Sequence, residues 1–149
     1  MINKQSINLI KSFEGLRLKA YPDPGTNGEP YTIGFGTTVY NGVQKVKLGD
    51  VIDESQAESY LLFDVNQFSK GVSKLIKKPL SDNQFGAITS FAYNVGIPNL
   101  RSSTLLKKVN NDPNDYSIRD EFMKWNKAAG KVLSGLTRRR KAEADLYFS

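Results

Sequence analysis

Two residue types are missing from this 149-residue chain, and their absence removes most catalytic repertoires. Without cysteine there is no disulfide, no thiol nucleophile and no thiolate metal site. Without histidine there is no Ser-His-Asp triad and no His-ligated zinc. Acid–base work therefore falls to Asp, Glu, Lys or Tyr. Long apolar runs are also lacking, since no stretch approaches the roughly 20 residues that cross a bilayer. Near the start, Asn3, Lys4, Gln5, Asn8 and Lys11 interrupt Ile2, Ile7, Leu9 and Ile10. No signal-peptide core forms there, and the expectation is a chain that stays soluble.

What is present is basic: 21 Lys+Arg face 15 Asp+Glu, giving a net charge of +6 and a pI near 9.5. Such an excess suits a polyanionic partner, whether nucleic acid, an anionic cell envelope or a membrane surface, and it also serves plain solubility. A nucleic-acid module would need a reading motif or an exposed aromatic platform; the aromatics here fall on stripes expected to be buried. The length fits one domain, or two small lobes.

The densest stretch is residues 13–36, FEGLRLKAYPDPGTNGEPYTIGFG. Glu14 is followed by eight residues and then Asp23, and the run Thr32–Gly36 closes it. Two carboxylates flanking a turn-rich connection suit a cleft in which one donates a proton and the other holds a water. Ile7, Ile10 and Phe13 predict a short amphipathic helix over 3–13, ended by Gly15. Glu14 then sits at a helix C-terminus, where the dipole disfavours negative charge.

From Arg17 to about Val46 the apolar residues come in short runs cut by proline and glycine, predicting a small antiparallel sheet of about three strands. Asp53 and Gln56 form a capping box ahead of Leu61, Val65, Phe68, Val72 and Leu75. A helix of about 24 residues running to Pro79 would span roughly 36 Å. Ser81 and Gln84 make a second capping box, with Phe85, Ile88, Phe91 and Val95 as its buried stripe. Further helices are expected from Ser102 or Ser103 to about Asn110–Pro113, from Tyr116 through Trp125 to Gly130, and from Thr137 to Tyr147.

The segments Phe13–Asp23, Tyr31–Gly36, Leu80–Gly96, Ser103–Asn110 and Trp125–Tyr147, in this order and spacing, resemble the phage-type lysozymes of glycoside hydrolase family 24. The resemblance implies an α+β, lysozyme-like fold in a single domain over 1–149. It comprises a small antiparallel-sheet lobe (15–52), a long connecting helix (53–78) and a helical lobe (1–14 and 79–149), with the active site in the cleft between lobes. It also implies a muramidase cutting the β-1,4 bond between N-acetylmuramic acid and N-acetylglucosamine, with inversion, and needing no metal or cofactor.

Carried over residue by residue, Glu14 matches the family's general acid and Asp23 its second carboxylate. The usual spacing would put the family threonine on Glu29, but the Thr-Ile-Gly run places it at Thr32. The turn from Pro22 to Pro30 is then three residues longer, with Glu29 at its tip facing water. Thr37 stands where the family commonly has a histidine, so that group cannot ionise here. Arg139 or Arg140, in the run Arg138–Lys141, is expected to pair with Glu14 or hold a substrate carboxylate, although such a run is usually a solvated helix face. Trp125 is first a core aromatic and second a platform for a sugar ring.

Biologically the resemblance implies a monomeric endolysin held in the host cytoplasm, dependent on a holin pore to reach the wall. It implies no nucleic-acid partner and no stable membrane insertion. The alternatives are a catalytically inactive peptidoglycan-binding homologue and an added membrane-disturbing role for the basic C-terminal helix.

Overall fold

The computed structural model describes residues 2–149. Among them are seven helices and three pairs of short antiparallel strands, the expected α+β composition. They form two compact units: Ile10–Gln67, and Phe68–Ser149 joined by the N-terminal segment through Leu9.

Helix α1 (Lys4–Glu14), which enters the first unit at Ile10, delivers the chain into strand β1 (Arg17–Tyr21). This strand pairs antiparallel with β2 (Thr32–Gly34), while β3 (Val39–Tyr40) pairs with β4 (Gln44–Lys45). The single three-stranded sheet expected from the sequence is thus two separate ladders, linked to the rest by bridges at Lys19–Val51 and Ile33–Thr37. Register slips within β1–β2, and strands of two to five residues leave too few consecutive partners for a continuous sheet. Ile33, Phe35, Val46, Ile52, Ala57, Leu61 and Val65 are buried.

Helix α2 (Glu54–Ser73) begins at the expected capping box: Asp53 Oδ1 accepts from Gln56 N–H at 2.7 Å, and Gln56 Oε1 accepts from Asp53 N–H at 3.0 Å. Its 20 residues span about 30 Å, shorter than predicted. Asn110 explains the early stop. Its side chain accepts from Lys77 N–H and donates to Leu75 C=O, so the segment toward Pro79 finds partners outside a helix.

The second unit is helical: α3 (Asp82–Val95), α4 (Ile97–Ser102), α5 (Thr104–Asn111), α6 (Ile118–Met123) and α7 (Ser134–Tyr147). Ser81 and Gln84 complete both halves of their capping box, and Ser103 caps α5. The core joins Ile88, Phe91, Leu100, Leu105, Ile118 and Phe122 with Tyr147. Phe91 meets the edges of both Phe122 and Trp125, with ring centres 5.8 and 5.5 Å apart.

Two expectations change here. The short helix α4 was not foreseen. The helix expected to run through Trp125 to Gly130 stops at Met123, and a hairpin follows, β5 (Lys127–Ala128) with β6 (Lys131–Val132). Its turn puts Ala129 at φ 51° and Gly130 at φ 78°, left-handed backbone that ends a helix and turns a hairpin.

Candidate active site

Glu14 is the last residue of α1, and Gly15 and Leu16 connect it to β1. Strand pairing then fixes the rest of the site: Arg17 lies opposite Gly34, and Tyr21 lies opposite Thr32. Asp23 follows Tyr21 by two residues, so pairing brings Asp23 and Thr32 to the same end of the hairpin. Glu14 lies beyond its other end. The five residues of β1 cover about 13 Å between those ends.

The turn after β1 is held by its own hydrogen bonds. Asp23 N–H donates to Gly28 C=O at 3.0 Å, and Asp23 C=O accepts from Asn27 N–H at 2.7 Å. Asp23 Oδ1 accepts from Gly25 N–H at 2.9 Å, which fixes the carboxyl's direction. Thr26 Oγ1 donates to the Glu29 carbonyl at 2.8 Å and accepts from Gly28 N–H. This makes Thr26 a turn residue and leaves the Glu29 side chain exposed at the turn's end.

Two half-buried oxygens at this end have no hydrogen-bond partner among the described residues: Asp23 Oδ2 and Thr32 Oγ1. Each is left open to a water or a hydroxyl, the first as an acceptor and the second as a donor.

Gly34 holds β2 against α2. It sits at φ 66°, and a Cβ there would lie 3.3 Å from Ala57 Cβ and 3.4 Å from Ile52 Cδ1. A side chain would meet both strain and crowding.

Behind the hairpin the structure holds a pair the sequence did not announce. Thr37 is fully buried and exchanges both backbone hydrogen bonds with Ile33, at 2.9 Å each. Its hydroxyl donates to Asp64 Oδ2 on α2 at 2.8 Å. Burial pushes the Asp64 carboxyl up to about 6, against the lowering effect of that hydrogen bond. A carboxylate immediately before a buried valine carries no sequence signal of its own. Its partner lies 27 residues away.

The remaining candidates belong to the helical unit. Arg139 and Arg140 are 3% and 0% exposed, whereas Arg138 beside them is exposed. Glu143, fully buried, accepts from Arg140 Nη1 at 2.8 Å, from Arg139 Nε at 3.3 Å and from Ser90 Oγ at 2.6 Å. Arg139 Nη2 donates to Ser90 C=O, and Arg140 Nη2 to Asn94 Oδ1. The run is therefore half solvated face and half internal network, with these guanidinium donors turned to protein.

Trp125 is half-buried beside a cavity of about 460 Å³ that Ser102, Ser103, Thr104, Glu121 and Lys124 also line. Glu121 is buried and accepts from Lys108 and Lys124, which hold its carboxyl below the usual range. An indole among hydroxyls and charges can meet a sugar's apolar face and its rim. The sequence pointed to Trp125 but to none of these neighbours. They come from α4, α5, α6 and the cap residues Ser103 and Lys124, which only the packing brings together.

Among the described residues no cluster of acidic or other metal-ligating side chains could hold an ion.

A family model described as phage lysozyme matches residues 11–143. The chain is 47% identical over 148 residues to the endolysin of Bacillus phage B103, covering 99% of this chain and 54% of that protein. It is 42% identical over 153 residues to the endolysin of Acyrthosiphon pisum secondary endosymbiont phage 1, covering 99% and 98%. The solved structure of an endolysin from Escherichia coli O157:H7 phage FAHEc1 matches with a TM-score of 0.87 at 38% identity, over all of this chain and 94% of the other. The chain thus spans about half the length of the Bacillus phage relative and nearly all of the other two.

Proposed function

The chain belongs to the phage lysozyme family, and from that membership we propose that it is a muramidase with Glu14, Asp23 and Thr32 as its catalytic residues. The substrate is bacterial peptidoglycan, cut at the β-1,4 bond between N-acetylmuramic acid and N-acetylglucosamine. Cleavage passes through an oxocarbenium-like state that needs a protonated leaving oxygen and negative charge nearby. Glu14 gives the proton to the leaving oxygen. Asp23 stays ionised, stabilises the positive charge and takes a proton from the attacking water. Thr32 orients that water, which enters from the face opposite the leaving group and inverts the anomeric centre.

The observation that carries this reading is the pair of unpartnered oxygens, Asp23 Oδ2 and Thr32 Oγ1, at one end of a hairpin whose first strand follows Glu14. Trp125 offers its indole to a sugar ring. Arg139 and Arg140 contribute to substrate binding through the network they share with Glu143, Ser90 and Asn94, which fixes the α3–α7 packing.

The protein acts as a monomeric endolysin that reaches the wall through a holin pore and lyses the host. Its net charge of +6 draws it to an anionic wall. Lysis on expression without a holin would contradict that route.

The decisive experiment measures reducing ends released from purified peptidoglycan by the wild type and by Glu14→Gln. Glutamine keeps the shape and has no carboxylic proton. Activity in the wild type, falling by about three orders of magnitude or more in a folded variant, is the expected result. Activity that survives the substitution removes Glu14 from its role. Absence of activity in both proteins turns the reading to a peptidoglycan-binding homologue.

A further inference from the structure

A second feature of the sheet unit lies outside the catalytic set. The tip of the Pro22–Pro30 turn and the β3–β4 hairpin enclose a cavity of about 280 Å³. Pro30, Tyr31, Val39 and Val46 give it apolar walls, and Val46 is buried. Glu29 and Lys45 line the same cavity and carry opposite charges. Neither side chain has a hydrogen-bond or ion-pair partner among the described residues, the Glu29 carbonyl alone being engaged, by Thr26.

Opposite charges on one cavity usually meet each other. Here each is left to face an incoming group, one able to accept from an ammonium and the other able to donate to a carboxylate. The ligand that satisfies both carries an amine and a carboxylate close together on a short aliphatic stem.

The position matters as much as the chemistry. Tyr31, which lines the cavity, immediately precedes Thr32, so the cavity adjoins the end of β2 that carries Thr32. We propose that this cavity binds the zwitterionic end of a diamino-acid side chain in the peptide stem of peptidoglycan, with Glu29 holding its ammonium and Lys45 its carboxylate. The proposal rests on peptidoglycan being the substrate. It adds a contact to the stem, away from the bond that is cut.

The test is direct binding of a stem tripeptide, L-alanyl-γ-D-glutamyl-meso-diaminopimelate, followed by chemical-shift changes in the full chain. Shifts are expected at Tyr31, Val39 and Val46. Lys45→Ala and Glu29→Gln, both exposed positions, should each weaken binding about three- to fivefold. The same peptide ending in lysine lacks the side-chain carboxylate. It should bind the wild type about as weakly as the complete tripeptide binds Lys45→Ala, and lose nothing further in that variant.

Absence of shifts at the cavity, or equal affinity in wild type and both variants, overturns the proposal. Reducing-end release separates it from the muramidase reading. Cleavage without tripeptide binding discards the cavity and keeps the enzyme; tripeptide binding without cleavage keeps the cavity and discards the enzyme.

Discussion

The two units treat their polar groups in opposite ways. In the helical unit, Glu143 is fully buried and receives three donors, while Ser90, Asn94, Arg139 and Arg140 are all engaged around it. In the sheet unit, Asp23 Oδ2, Thr32 Oγ1 and the charged ends of Glu29 and Lys45 have no partner among the described residues. Its surface also shows Val43, Leu48 and Val51, each more than three-fifths exposed. A buried network this densely bonded holds one arrangement of helices. Groups without protein partners, half-buried or exposed, remain open to a ligand. The densest polar network and the polar groups left open thus lie on different stretches of the chain.

Substitutions that strike one unit and spare the other break this comparison most sharply. The largest effect is expected from Asp23→Asn, which should lower peptidoglycan cleavage by about two to four orders of magnitude. Thermal unfolding should barely move, because Asn retains the acceptor that Gly25 uses. A large drop in melting temperature would show that Asp23 serves the turn instead. Glu143→Ala is the mirror image. It strips two buried guanidiniums of their carboxylate and should cost about 3–5 kcal/mol in chemical denaturation. A loss under 1 kcal/mol would mean that the network holds little of the fold.

The same contrast decides what could be read from the sequence. Capping boxes at Asp53 and Ser81 and the stripe of Ile88 and Phe91 were legible because they are local, repeating at helical spacing. The candidate residues Glu14, Asp23 and Thr32 were legible because they fall in one short segment with glycine and proline fixed around it. What escaped depends on distant partners or on competing local geometry. Asn110 shortens α2 from 35 residues away, and Asp64 meets Thr37 only after the hairpin folds onto α2. The helix expected through Trp125 to Gly130 stops at Met123, because Ala129 and Gly130 turn the following chain into a hairpin. The basic run Arg138–Lys141 could not disclose its own sorting. Burial of its middle two members follows from Glu143 one turn on and from Ser90 on another helix.

Asp64 and Thr37 test the comparison from within the sheet unit, since the half-buried Asp64 and the fully buried Thr37 form a bonded polar pair in the unit that holds the open groups. Asp64 titrates near 6 in the fold against 3.8 for an ordinary aspartate. A raised folded value means the fold prefers the protonated form. Its contribution to stability is therefore complete below about 3.8 and is lost as pH rises through about 6. Asp64→Asn removes the ionisation and keeps an acceptor for Thr37. The variant should gain roughly 2–3 kcal/mol over wild type at pH 8 and less than about 1 kcal/mol at pH 4. An equal change at both pH values would show that packing, and not charge, sets the effect.

The smallest effect is expected when the donor is removed and the carboxyl left. Thr37→Val conserves shape in a fully buried position and deletes the hydroxyl that Asp64 Oδ2 accepts from. At pH 8 this strands an ionised carboxylate and should cost about 1–3 kcal/mol. At pH 4 the carboxyl is neutral in the fold, and the cost should shrink by at least half. Because Thr37 also pairs both ways with Ile33, beside Thr32, the substitution asks whether the buried pair steadies the reactive hairpin. If cleavage by Thr37→Val at pH 8 falls while a Thr37→Ser protein keeps wild-type rates, a satisfied polar contact is what holds the unsatisfied ones in place. If both variants cleave at the wild-type rate, the hairpin is held by its backbone pairing alone, and the Asp64–Thr37 pair affects only stability.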